Sequence, residues 1–133
     1  MPPERDAARS KLLLGFLLAY MVGSFIHHFH NAQFIAEYPN MPGGVPVSVA
    51  YFVWGFATLV GLLGYYFARR GHEPLGLGLV GVYAAYGLMV LGHYKLAPLS
   101  AHSVGANVTI GIELVTAALL LGAVIVLLVK GKD

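Results

Sequence analysis

The sequence predicts an all-α polytopic membrane protein: an antiparallel, up-down four-helix transmembrane bundle with a structured outer loop. Three observations predict it. Of 133 residues, 58% are hydrophobic and 11% charged, against about 25% charged in an ordinary soluble domain. So few charges cannot cover a water-facing surface. The charges also fall almost entirely between four apolar runs, each long enough for a bilayer core that takes roughly 20 residues per helix. Lipid offers the backbone no hydrogen-bond partners, so runs of this length fold as helices. Finally, the basic residues sort to one side once the runs are laid up and down.

The first span covers residues 12–30, after Arg5, Arg9 and Lys11. Basic residues ahead of an apolar run are also how a signal peptide begins. Here the run exceeds the usual 7–15-residue apolar region and no A-x-A site follows, so it reads as an uncleaved helix. The second span covers 47–68 without a charge. The third covers 75–95, after Arg69 and Arg70. The fourth covers 104–129, interrupted only by Glu113 and followed by Lys130 and Lys132. Seven of the eight Lys and Arg therefore lie on one side, and Lys95 alone on the other. The positive-inside rule makes the rich side cytoplasmic, with both termini inside the cell membrane. Short links at 69–74 and 96–103 favour antiparallel neighbours. The outer loop, 31–46, "NAQFIAEYPNMPGGVP", is longer and carries Phe34, Ile35 and Tyr38, enough apolar surface to fold over the bundle mouth.

The composition excludes several functions. There are no cysteines, hence no disulfide, thiolate metal site or cysteine nucleophile. The mild net charge of +2 reports topology, and no nucleic-acid partner is implied. "GLGLVG", residues 76–81, matches the dinucleotide fingerprint letter for letter. That fingerprint needs a preceding strand in a βαβ unit. Inside a membrane helix the same letters read as small residues for close packing, as with Ala57, Gly61 and Gly64. No nucleotide is implied.

What remains is a histidine cluster. "FIHHFHNAQF" ends the first span with His27, His28 and His30; His93 ends the third span on the same outer side, and His102 precedes the fourth. Five of the six histidines thus gather at one end, and only His72 lies at the other. His27, His30 and Asn31 share a helix face by their spacing, while His28 points about 100° away. His93 shares a face with Met89 and Tyr86. On the fourth span Thr109, Glu113 and Thr116 form a polar stripe of the kind that turns toward protein in lipid. A carboxylate at that depth costs several kcal/mol unless paired or protonated, which makes Glu113 a functional candidate. Its depth is a difficulty: a helix starting at Ser103 places it about 15 Å along the axis, one or two turns below the histidines.

Imidazole with carboxylate and no sulfur suits Zn, Cu, Ni or non-haem Fe. The candidate ligands are His27, His30, His93, His102 and Glu113, with Asn31, Glu37, Trp54 and Thr109 in support. The resulting expectation is a transition-metal protein serving metal handling or small-molecule redox chemistry, and whether it is an enzyme stays open. One alternative is a single b-type haem held by His27 and His93, with Gly23 and Gly92 making room. Another is a non-catalytic small subunit or assembly factor of a larger membrane complex, or a homo-oligomer. A third is a proton-coupled carrier built on Glu113.

Overall fold

The computed structural model describes residues 3–131, without the side chains of Pro3 and Arg5. Of the inner-side charges named above, Lys132 and the Arg5 side chain lie outside the described residues. Every regular element described is helical: α1 (Pro3–Gln33), α2 (Val47–Arg69), α3 (Glu73–Leu88), α4 (His93–Leu96) and α5 (Val104–Lys130). Four helical segments are long and apolar enough to cross a membrane: Asp6–Gln33, Val47–Arg69, Glu73–Leu96 and Val104–Lys130. This is compatible with a membrane protein.

Local sequence explains the boundaries. Gly71 has φ 87°, a left-handed conformation that glycine adopts without penalty, so the chain reverses between α2 and α3. Ser103 caps α5, its hydroxyl accepting from the Ala106 amide at 3.0 Å, which satisfies one of the orphan donors of the first turn. The third span is not one continuous α-helix. Met89–Gly92 tightens to a 3-10 turn before α4. Such a turn has 3.0 residues per turn rather than 3.6 and shifts the phase of whatever follows. Tyr86, Met89 and His93 nonetheless line one cavity, with Met89 71% exposed.

Packing joins α2 to α3, α5 to both α1 and α3, and α1 to α2. The central core is Leu17, Tyr20, Leu77, Val80, Tyr83 and Leu120 with their neighbours, and the Tyr20 and Tyr83 rings lie 4.5 Å apart. Small residues permit the α2–α3 approach. A Cβ on Gly64 would meet the Gly76 carbonyl oxygen at 2.8 Å, and one on Gly76 would run into the backbone of Ala68 and Gly64. Gly61 makes room for the Tyr83 ring. Within "GLGLVG" only Gly76 has this role: Gly78 faces open space, and a Cβ on Gly81 would make ordinary contact with Val124.

The two ends of the molecule differ. At one, Arg9 joins Glu73 at 2.7 Å and the Leu127 carbonyl at 3.1 Å, while Arg69 donates to Ser10. This is the arginine end. The other, the histidine end, gathers the last turns of α1, the 31–46 loop, α4 and the start of α5.

Candidate functional site

Three helices supply the centre of the histidine end. His27 comes from α1, His93 from the start of α4 just past the 3-10 turn, and Thr109 and Glu113 from one face of α5. The His27 and His93 rings meet Nε2 to Nε2 at 3.2 Å, with ring centroids 5.1 Å apart. The other nitrogen of His27, Nδ1, lies 3.3 Å from the Thr109 hydroxyl. Glu113 Oε2 stands 3.7 Å from His27 Nε2, and Glu113 Oε1 accepts from the Ser24 hydroxyl at 2.8 Å. His27 is 4% exposed and Glu113 2%.

The expected mismatch in depth between Glu113 and the histidines does not arise, because α1 continues to Gln33. His27 lies six residues inside that end, about 9 Å at 1.5 Å per residue. The carboxylate then reaches up from α5 to meet it.

The hydrogen bonds fix part of the proton arrangement. With the Thr109 hydroxyl donating to the Ala106 carbonyl at 3.1 Å, the matching tautomer of His27 carries its proton on Nδ1, toward Thr109. Its Nε2 then presents a lone pair to His93. His28 also borders the cluster, with Nδ1 3.9 Å from Glu113 Oε1 and its ring centroid 5.8 Å from that of His27. Its Nδ1 donates to the Ser24 carbonyl at 2.8 Å, leaving Nε2 to accept from the Tyr86 hydroxyl at 3.2 Å. A ring nitrogen held by a carbonyl in this way sets the tautomer and aims the other nitrogen.

The structure separates two of the five expected ligands from this centre. His30 Nδ1 pairs with the Tyr38 hydroxyl at 2.8 Å and its Nε2 lies 3.5 Å from Glu37 Oε2. The reason is local: the loop folds Tyr38 inward and turns Glu37 toward α5, where the Ser103 hydroxyl also donates to that carboxylate. His102 is buried, with Nδ1 donating to the Pro98 carbonyl at 3.0 Å. Its ring packs 5.3 Å from Tyr94 and 6.3 Å from His93, and its Nε2 has no partner. Trp54, grouped with the site from the sequence, instead donates to the Met21 carbonyl at 3.3 Å and packs edge-on to Phe25, bracing α2 against α1. Of the polar stripe, Thr109 and Glu113 enter the cluster. Thr116 turns its hydroxyl back to the Ile112 carbonyl of its own helix at 2.7 Å.

Tyr38, Ser24 and Tyr86 join the site without having been candidates. Tyr38 is 2% exposed and its hydroxyl bridges His30 and Thr109, the latter at 3.0 Å. Burial pushes this phenol up to about 12, so it stays an uncharged hydrogen-bonding group. Its signal in the sequence was an aromatic in a Pro- and Gly-rich loop; Phe34 and Ile35 gave the same signal yet are each 48% exposed.

Among the described residues, no group of three or more His, Cys, Asp or Glu side chains is arranged so that it could hold a metal ion. The two ring nitrogens stand closer together than a haem iron would hold them. Two axial nitrogens on one iron stand roughly 4 Å apart at about 2.0 Å each, more than the 3.2 Å found here. Gly23, expected to make room, faces Thr116, whose hydroxyl a Cβ there would meet at 2.7 Å. No protein-family model matches the chain, nor does any curated protein or solved structure.

Proposed function

We propose that this is a multi-pass protein of the cell membrane, with four antiparallel spans and both termini cytoplasmic, that binds one transition-metal ion at its outer end through His27, His93 and Glu113. The observation that carries the reading is the meeting of two imidazole Nε2 atoms at 3.2 Å with a buried carboxylate oxygen 3.7 Å from one of them. Ligands at about 2.0–2.2 Å around a tetrahedral ion leave neighbouring donor atoms roughly 3.3 Å apart. The two imidazole nitrogens already stand near that spacing, and Glu113 would have to move toward them to complete the set.

The surroundings also support it. Metal-binding histidines are oriented through their second nitrogen, and ligating carboxylates are themselves hydrogen-bonded. Thr109 serves His27 in that way, and Ser24 serves Glu113. Two nitrogens and an oxygen, without sulfur, fit Zn²⁺, Cu²⁺, Ni²⁺ or non-haem Fe. Such an ion would serve metal handling or small-molecule redox chemistry.

The test is metal add-back to chelator-treated, detergent-purified protein, followed by desalting and elemental analysis. The wild type is expected to regain about one ion per chain, and His27→Ala and His93→Ala to regain little. Equal uptake by the wild type and both variants would remove the site.

A further inference from the structure

A cavity of about 400 Å³ opens beside the cluster, between α1, α2, α3 and the outer loop. Its floor is polar, with His27, His93, Glu113 and Asn31 contributing. Its walls are apolar, formed by Val53 of α2, Val90 beside α3 and Met41 of the loop among others. The lining residues Val45, Val47 and Met89 are 59%, 50% and 71% exposed, so the mouth is apolar. The volume falls within the range of pockets that enclose small organic ligands.

The floor states what head group it takes. Asn31 Nδ2 is buried there without a hydrogen-bond partner, and an amide N–H₂ can only donate. A buried donor left unpaired costs about 1–3 kcal/mol, which an incoming acceptor would recover. Among the residues lining the cavity there is no Lys or Arg, and Glu113 sits at the floor. Before any metal binds, no Lys or Arg of the lining offsets the charge of a phosphate or carboxylate head, and the Glu113 carboxyl group opposes one. The head that fits is a neutral acceptor, a carbonyl.

We propose that this cavity binds a neutral, lipid-soluble carbonyl compound of the quinone class, its tail along the α2 wall and a carbonyl oxygen accepting from Asn31. The inference is drawn for the site without its metal, where Asn31 is the donor.

The experiment uses the full chain in detergent with the fluorescence of its one tryptophan, Trp54, next in sequence to the cavity-wall Val53. The probe is decylubiquinone, with decanoic acid as a head-group control. Saturable quenching by decylubiquinone is expected in the wild type. Asn31→Leu should weaken it about tenfold, the equivalent of about 1.4 kcal/mol. Val53→Phe, which fills the wall away from the polar floor, should abolish saturation while leaving metal uptake unchanged. Linear, non-saturating quenching that is the same in wild type and variants would overturn the proposal, since it reports partition into detergent only. So would decanoic acid protecting Trp54 from decylubiquinone at equal concentration, which would mark a fatty-acyl site. Metal uptake read on the same samples separates failure here from failure of the metal site.

Discussion

The two ends of the molecule both spend their polar residues on joining helices, but in different ways. At the arginine end the partners are full charges at the surface. Arg9 and Glu73 pair at 2.7 Å with the Glu73 side chain 49% exposed, and Arg69 reaches Ser10. Exposed pairs of this kind contribute about 0–1 kcal/mol. At the histidine end the partners are imidazoles, hydroxyls and one carboxylate, closed off among three helices and a loop. There each lost partner strands another buried group, and the cost is that of desolvation rather than of a screened attraction. The contrast separates polar residues that tie helix ends together from polar residues positioned for chemistry.

Substitutions can break this contrast, and their effects should fall in order. The largest is expected at His27 and His93: replacing either with Ala should abolish metal uptake, read by elemental analysis. Next come the residues that orient the ligands. Thr109→Val and Ser24→Ala should weaken metal affinity by roughly 10–100-fold, as loss of an outer partner typically does, measured by titration calorimetry. Gly76→Leu should then destabilise the α2–α3 contact by about 1–3 kcal/mol, the usual range for overpacking, seen as a lowered thermal midpoint in detergent. Tyr38→Phe should cost about 1–3 kcal/mol, because it deprives His30 and Thr109 of a buried partner, with metal content unchanged. The smallest effect is expected at the arginine end, where Glu73→Gln should shift stability by no more than about 1 kcal/mol. If Glu73→Gln proved as costly as Thr109→Val, the distinction between the ends would fail.

Much of this was legible in the sequence because membrane helices announce themselves through uninterrupted apolar runs. Convergence of the histidines followed from counting which end of each run carried them. The pairing was less legible. His27, His30 and Asn31 share a helix face by spacing, yet His30 is captured by Tyr38 and Glu37 from a loop whose path no periodicity encodes. The 3-10 turn at Met89–Gly92 interrupts the third span with no proline to mark it, although Tyr86, Met89 and His93 still border one cavity. Glu113 was recognisable as costly, but its partner depended on how far α1 extends past His27. Three more residues of helix, beyond residue 30 to Gln33, leave His27 deep enough to meet it. Ser24 gave no signal at all, since a Ser in an apolar run looks the same whether or not it meets a partner, and Tyr86 was placed on the His93 face without a role.

The most direct measurement of the central claim is X-ray absorption at the edge of the metal that the protein binds most tightly. The account predicts a first shell with two imidazole nitrogens and at least one carboxylate oxygen at about 2.0–2.2 Å, losing the oxygen-rich signature in Glu113→Leu. A shell with three or more imidazoles would bring His30 or His102 into the site, and a shell without imidazole would place the metal elsewhere. Either result would contradict the account.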